Sequence, residues 1–131
     1  MFVDASAICA ILMKEVDADD LLLRLVKYER RLTSPLAIWE SALAIRRAGD
    51  IEPGAAHRLV LDFLEATGIA STALPADIDG LAIEAFERFG KGRHPAALNF
   101  GDCFAYACAR HFRVPLLFKG EDFAQTDIEL A

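Results

Sequence analysis

An α/β domain built on a largely parallel sheet is predicted by three features of this 131-residue chain. Short apolar runs alternate with longer segments of helical spacing from one end to the other, the pattern of crossover helices between parallel strands. Apolar residues make up 54% and charged residues 26%, which favours a packed core over disorder. Acidic residues recur just after the short runs, where an open parallel sheet binds its ligands. No repeat, linker or low-complexity stretch interrupts the pattern, so one domain over residues 1–131 is expected.

"MFV" (1–3) is a short apolar run ended by Asp4 and fits a strand buried on both faces. "SAICAILMKE" (6–15) follows with helical spacing, and "VDADDLLLRLVKYER" (16–30) carries acids at its front and bases at its back, which suits the helix dipole. "RLTSP" (31–35) is a second strand closed by Pro35, and "LAIWESALAIRRAG" (36–49) a helix stopped by Gly49. "EPGAAHRLVLDFLEATG" (52–68) is a helix with Pro53 in its first turn and Gly68 at its end. "IASTALP" (69–75) reads as a third strand and "ADIDGLAIEAFERFG" (76–90) as a helix that tolerates Gly80. A loop, "KGRHPAALNFG" (91–101), leads to the most apolar helix, "DCFAYACARHF" (102–112), and then to the strand "VPLLFKG" (114–120). The tail "EDFAQTDIELA" (121–131) adds a short turn and an edge strand.

Several function classes fall away on composition. A net charge of −6 argues against coating nucleic acid by charge alone, though not against meeting a phosphodiester through bound cations. Cys9, Cys103 and Cys108 form no C-x-x-C pair, and His57, His94 and His111 have no metal-ligand spacing, so packed thiols are expected rather than zinc or disulfides. No apolar run reaches the roughly 20 residues of a membrane span. The first residues lack the basic n-region of a secretory signal, so a cytoplasmic protein is expected.

The acids are the informative residues. Asp4 follows the first strand, Glu40 lies early in the helix after the second, and Asp102 opens the helix before the last. Glu121 and Asp122 follow that last strand, with Asp127 further on. Each has an ordinary explanation as a helix cap, a turn residue or a solvated position. Together they would converge at one edge of the sheet, and clustered carboxylates repel unless a cation sits between them. Oxygen-rich clusters suit Mg2+ or Mn2+, and such sites support phosphodiester hydrolysis. Arg46, Arg47, Lys91, Arg93 and Lys119 are candidate phosphate contacts. The segments "LLLRLV" and "LVLDFL" are apolar around much of their circumference, and mean hydropathy is +0.28, so a homodimer face and a partner groove in the first half of the chain are expected.

Four segments, "MFVDASAICAIL", "TSPLAIWESALAIRR", "LNFGDCFAYACAR" and "LLFKGEDFAQTDI", closely resemble the PIN-domain ribonucleases, specifically VapC-type toxins of bacterial toxin–antitoxin pairs. The resemblance runs over nearly the whole chain, with residues 50–90 matching only in helical pattern. It implies a three-layer α/β/α PIN-like fold and a Mg2+- or Mn2+-dependent endoribonuclease that acts on RNA. It also implies a homodimer neutralised by a cognate VapB-type antitoxin whose tail wraps the toxin. The family's acidic positions carry over to Asp4, Glu40 and Asp102, with Ser6 as a polar helper near metal and substrate. On this reading Asp4 and Asp102 ligate the principal metal, and Glu40 holds or orients the attacking water. Many PIN domains place a fourth acid where this chain has Gly120. Asp122 is the first substitute, as ligand of a second metal or of a water, and Asp127 the other.

Two rivals use similar residues. A phosphoacceptor signalling domain would employ strand-end acids, Mg2+ and Lys119, but needs a paired acid after the first strand and an acid ending the third. A PIN-fold binding module without catalysis would retain the fold but not the chemistry. The particular RNA, its cleavage point and the number of metals are open at this level.

Overall fold

The computed structural model describes residues 1–131. Four strands, β1 (Phe2–Val3), β2 (Arg31–Thr33), β3 (Ile69–Ser71) and β4 (Leu116–Leu117), form one parallel sheet in the order β3-β2-β1-β4. Phe2 stands opposite Leu32 on one side and Leu116 on the other, and Thr33 opposite Ser71. Every connection between successive strands carries two helices: α1 (Ala5–Leu12) with α2 (Ala18–Leu25), α3 (Pro35–Gly49) with α4 (Pro53–Thr67), and α5 (Ile78–Phe89) with α6 (Phe100–Phe112). A 3-10 turn (Phe123–Gln125) and an isolated parallel bridge between Leu116 and Leu130 complete the tail, the expected turn and edge pairing.

Strand side chains alternate between faces, and that alternation divides the core in two. Phe2 and Leu116 point into a cluster with α5 and α6. Val3 and Leu117 point into a second cluster, with Ile8 of α1, Leu21 of α2, Ile38 of α3 and Val60 of α4. The result is the three-layer α/β/α PIN-like arrangement predicted above. Cys9, Cys103 and Cys108 are free and buried within these layers. No helix is long and apolar enough to cross a membrane.

The chain builds outward from β1 through β2 to β3, then returns to place β4 on the other side of β1. The reversal lies between β1 and β4, and the crevice beyond the carboxyl ends of these strands is the natural binding place in such a sheet. Local chemistry turns the chain into helices along that edge. Asp4 caps α1, accepting from the Ser6 N–H, and Ser34 caps α3, accepting from the Ala37 N–H ahead of Pro35 at the first helical position.

Several boundaries differ from expectation, with α1 ending at Leu12, β3 at Ser71 and β4 covering only Leu116–Leu117. α2 stops at Leu25 rather than near Arg30, and Arg31 Nε donates to the Tyr28 carbonyl at 2.7 Å in the turn that leads to β2. α6 begins at Phe100, two residues before Asp102, because the Asn99 side chain serves as its cap.

The tail is pinned by a polar clasp. Tyr106 Oη donates to Asp127 Oδ1 at 2.5 Å, Arg88 Nη2 donates to Asp127 Oδ2 at 2.7 Å, and Arg110 stands 3.7 Å away. The Tyr106 hydroxyl holds the Asp127 carboxyl below the usual carboxylate range, and burial pushes the Tyr106 hydroxyl up to about 12. Tyr106→Phe is expected to lower stability by about 1 kcal/mol in urea unfolding, with an unchanged helical signal. A wild-type midpoint would show that the clasp contributes nothing.

Candidate active site

At the carboxyl edge, Asp4, Glu40 and Asp102 line one cleft of about 290 Å3 together with Ser6, Cys9, Arg47 and Asn99. The three acids arrive from three elements. Asp4 directly follows β1, Glu40 projects from the second turn of α3, and Asp102 is the third residue of α6.

Asp4 is only 4% exposed. Burial raises its pKa, and hydrogen bonds from Ser6 Oγ at 2.5 Å and Ser6 N at 2.9 Å oppose the rise. Ser6 Oγ also accepts the Lys119 N–H at 3.0 Å, which ties the loop after β4 to the end of β1. Glu40 is pushed up to about 7, first by burial and then by the charges of Asp4 and Asp102. Asp102 is pushed up to about 6 by burial and by the charges of Asp4 and Asp122, against the Asn99 N–H that its Oδ2 accepts at 2.8 Å.

The remaining predicted residues divide. Asp122 is exposed and precedes the 3-10 turn, near enough for its charge to act on Asp102. Asp127 is engaged in the Tyr106–Arg88 clasp, so of the two substitutes for a fourth acid only Asp122 faces the cleft electrostatically. Glu121 lines a different pocket, beside Asp17, Asp20 and Arg24. Lys119 lines that pocket too, with its ammonium paired to Glu15. Arg47 is the one basic residue lining the acidic cleft, whereas Arg46 is exposed outside it. Lys91 and Arg93 are exposed, and the Arg93 guanidinium stacks 5.6 Å from the Phe86 ring centre.

Asn99 and Gly101 escaped the sequence reading. Asn99 Oδ1 accepts the Asp102 N–H at 3.1 Å while Asp102 Oδ2 accepts the Asn99 N–H, a reciprocal capping box that fixes the Asp102 side chain. The Asn-x-x-Asp spacing was the available signal, masked by starting the helix at Asp102.

The donor set fits a hard divalent cation: three carboxylates around one cleft, with Glu40 and Asp102 raised to about 7 and about 6 by burial and by the charges of neighbouring acids. No three His, Cys, Asp or Glu side chains are already grouped to hold a single ion. The apolar surface lies elsewhere. Leu23 of α2 and Val26 just after it are exposed, and α4 exposes Leu59 and Leu61, as their sequences suggested. Ile83, Phe86 and Phe100 form a further exposed patch on α5 and α6, which the sequence reading had not singled out.

Comparison with known proteins gives one consistent result. The PIN domain family profile matches residues 1–129. A Ribonuclease VapC of Mycolicibacterium smegmatis is 43% identical, with 98% of this chain and 97% of that protein aligned. Ribonuclease VapC30 of Mycobacterium tuberculosis is 42% identical over 98% of this chain and 95% of its own length. A VapC ribonuclease of Rhizobium meliloti is 38% identical over 97% and 98%. Among solved structures, Mycobacterium tuberculosis VapC20, a toxin that cleaves the sarcin–ricin loop, superposes with a TM-score of 0.76 over 99% of this chain and 97% of that one, at 17% identity.

The raised carboxyls give the cleft a pH signature. Each binds its proton more tightly folded than unfolded, so this stabilisation is fully present below the ordinary carboxylate range. It is lost as pH rises through about 6 for Asp102 and about 7 for Glu40. Calorimetry in EDTA is expected to show Tm falling between about pH 5 and about pH 8, with Glu40→Gln flattening the fall. A Glu40→Gln profile parallel to wild type would remove Glu40 from this account.

Proposed function

The chain belongs to the PIN-domain family, in its VapC branch, and from that premise we propose that it is a metal-dependent endoribonuclease toxin. Its cofactor on this reading is Mg2+ or Mn2+, its substrate RNA, and its inhibitor a cognate VapB-type antitoxin. The observation that carries the proposal is the convergence of Asp4, Glu40 and Asp102 on one half-buried cleft, where burial raises all three and the charge of Asp4 raises the other two further. The ribonuclease names of relatives aligned along nearly the whole chain support the same reading.

Asp4 and Asp102 would hold the principal cation, and Asp122 would contribute to a second, weaker position. A cation bound there supplies Lewis acidity and neutralises charge that develops on the phosphate. The chain's own residues do the rest. Ser6 and Asn99 keep one oxygen each of Asp4 and Asp102 in place, so both carboxylates are oriented before any ligand arrives. Glu40 orients the water that attacks phosphorus, and its position between two other acids suits it to receive that water's proton. Arg47 meets the negative phosphate at the rim, in a site otherwise hostile to an anion. Lys119 is assigned a structural part through Glu15 and Ser6 in place of the phosphate contact first expected.

RNA cleavage in Mg2+ or Mn2+ is expected to stop on chelation and to fall at least about 100-fold in Asp102→Asn. In the same assay Arg47→Glu should raise KM more than Arg46→Glu does, and a co-expressed antitoxin should suppress the wild-type rate. Cleavage by Asp102→Asn at the wild-type rate would sink the assignment.

The exposed apolar residues of α2 and α4 support a homodimer and an antitoxin-binding surface. Light scattering at micromolar concentration is expected to return twice the chain mass; a strict monomer would count against the dimer.

A further inference from the structure

Gly101 holds the second position of α6 with ordinary helical backbone and no positive φ. The backbone does not require glycine there, and alanine is the better helix former. Space is what glycine supplies. A Cβ at position 101 would lie 2.6 Å from both Cδ and Oε2 of Glu40, and closer still to Oε1. Those three nearest atoms all belong to one carboxylate, and real Cβ atoms essentially never come under 3.0 Å. Gly101 is buried, and with Asp4, Ser34, Ala37 and Glu40 it lines the narrow gap where α3 meets α6.

We propose that Gly101 is a positioning residue: the missing side chain is the seat on which the Glu40 carboxylate rests, against the first turn of α6 and beside Asp102. The proposal deepens the ribonuclease reading, because it takes Glu40 as part of that site. Glu40 reaches the seat as the far end of a flexible side chain, so an intruding methyl displaces the carboxylate and leaves both helices in place. Gly101 therefore governs where Glu40 sits and has little bearing on whether the chain folds. Asn99 plays the parallel part for Asp102 by hydrogen bonding, whereas Gly101 acts by leaving room.

The test is a cycle of Gly101→Ala, Glu40→Ala and the double variant, read by thermal unfolding in EDTA and by RNA cleavage with Mn2+. With Glu40 present, Gly101→Ala is expected to keep its helical signal, to gain no Tm, and to lose cleavage about 100-fold. In the Glu40→Ala background the same substitution is expected to raise Tm by roughly 2–4 °C, the ordinary benefit of alanine in a helix. Wild-type cleavage by Gly101→Ala, or an equal change in Tm in both backgrounds, would overturn the proposal. If the wild-type chain cleaves no RNA, the ribonuclease reading fails, while the Tm cycle still decides whether Glu40 occupies the space at Gly101.

Discussion

A carboxylate buried at the end of the central strand has to be compensated, and the site is arranged around that demand. Asp4 has almost no contact with water, and its first compensation comes from one residue, Ser6, through both backbone and hydroxyl. Because the same hydroxyl accepts the Lys119 N–H, the loop beyond β4 is positioned by the solution found for Asp4. Asp122 is carried on that loop. The two bonds do not bring Asp4 back to its ordinary affinity for protons. That residue of electrostatic cost is what a divalent cation would relieve.

The other two acids belong to opposite layers. Glu40 comes from the layer of α1 to α4, and Asp102 from the layer of α5 and α6, each backed by its own apolar cluster. The sheet between them is two or three residues deep along each strand, so the helices bring their N-terminal turns close together across its edge. The site is therefore assembled only when both clusters are packed. The charge excess of the whole chain then makes Arg47 significant, as the one cation in a cleft that an RNA phosphate would have to enter.

Much of this was legible in the residues. Strands ended by an acid or followed by a capping residue mark the carboxyl edge, and a parallel order fixes which residues share it, so position put Asp4, Glu40 and Asp102 among the acids of one edge, and they line one cleft. Neighbour-dependent facts were not legible. Asp122 and Asp127 look equivalent as carboxylates near one end, and only the packing of Tyr106 against the tail shows Asp127 to be occupied. Lys119 reads as a free cation until Glu15, 104 positions earlier, is folded beside it. Gly101 reads as a turn residue at the end of a loop, because its value lies in an atom of another helix that occupies the space it leaves.

The three thiols lead in another direction. Burial pushes Cys9, Cys103 and Cys108 each up to about 11, and at Cys9 the neighbouring Asp4, Glu15 and Glu40 charges add to the effect. At neutral pH only about one such thiol in ten thousand is thiolate, the form that peroxides and alkylating reagents attack. The folded chain thus carries three soft sulfur atoms through an oxidising episode with little chemical risk. At Cys9, in the wall of the cleft, the carboxylates that crowd the site add to what burial already does.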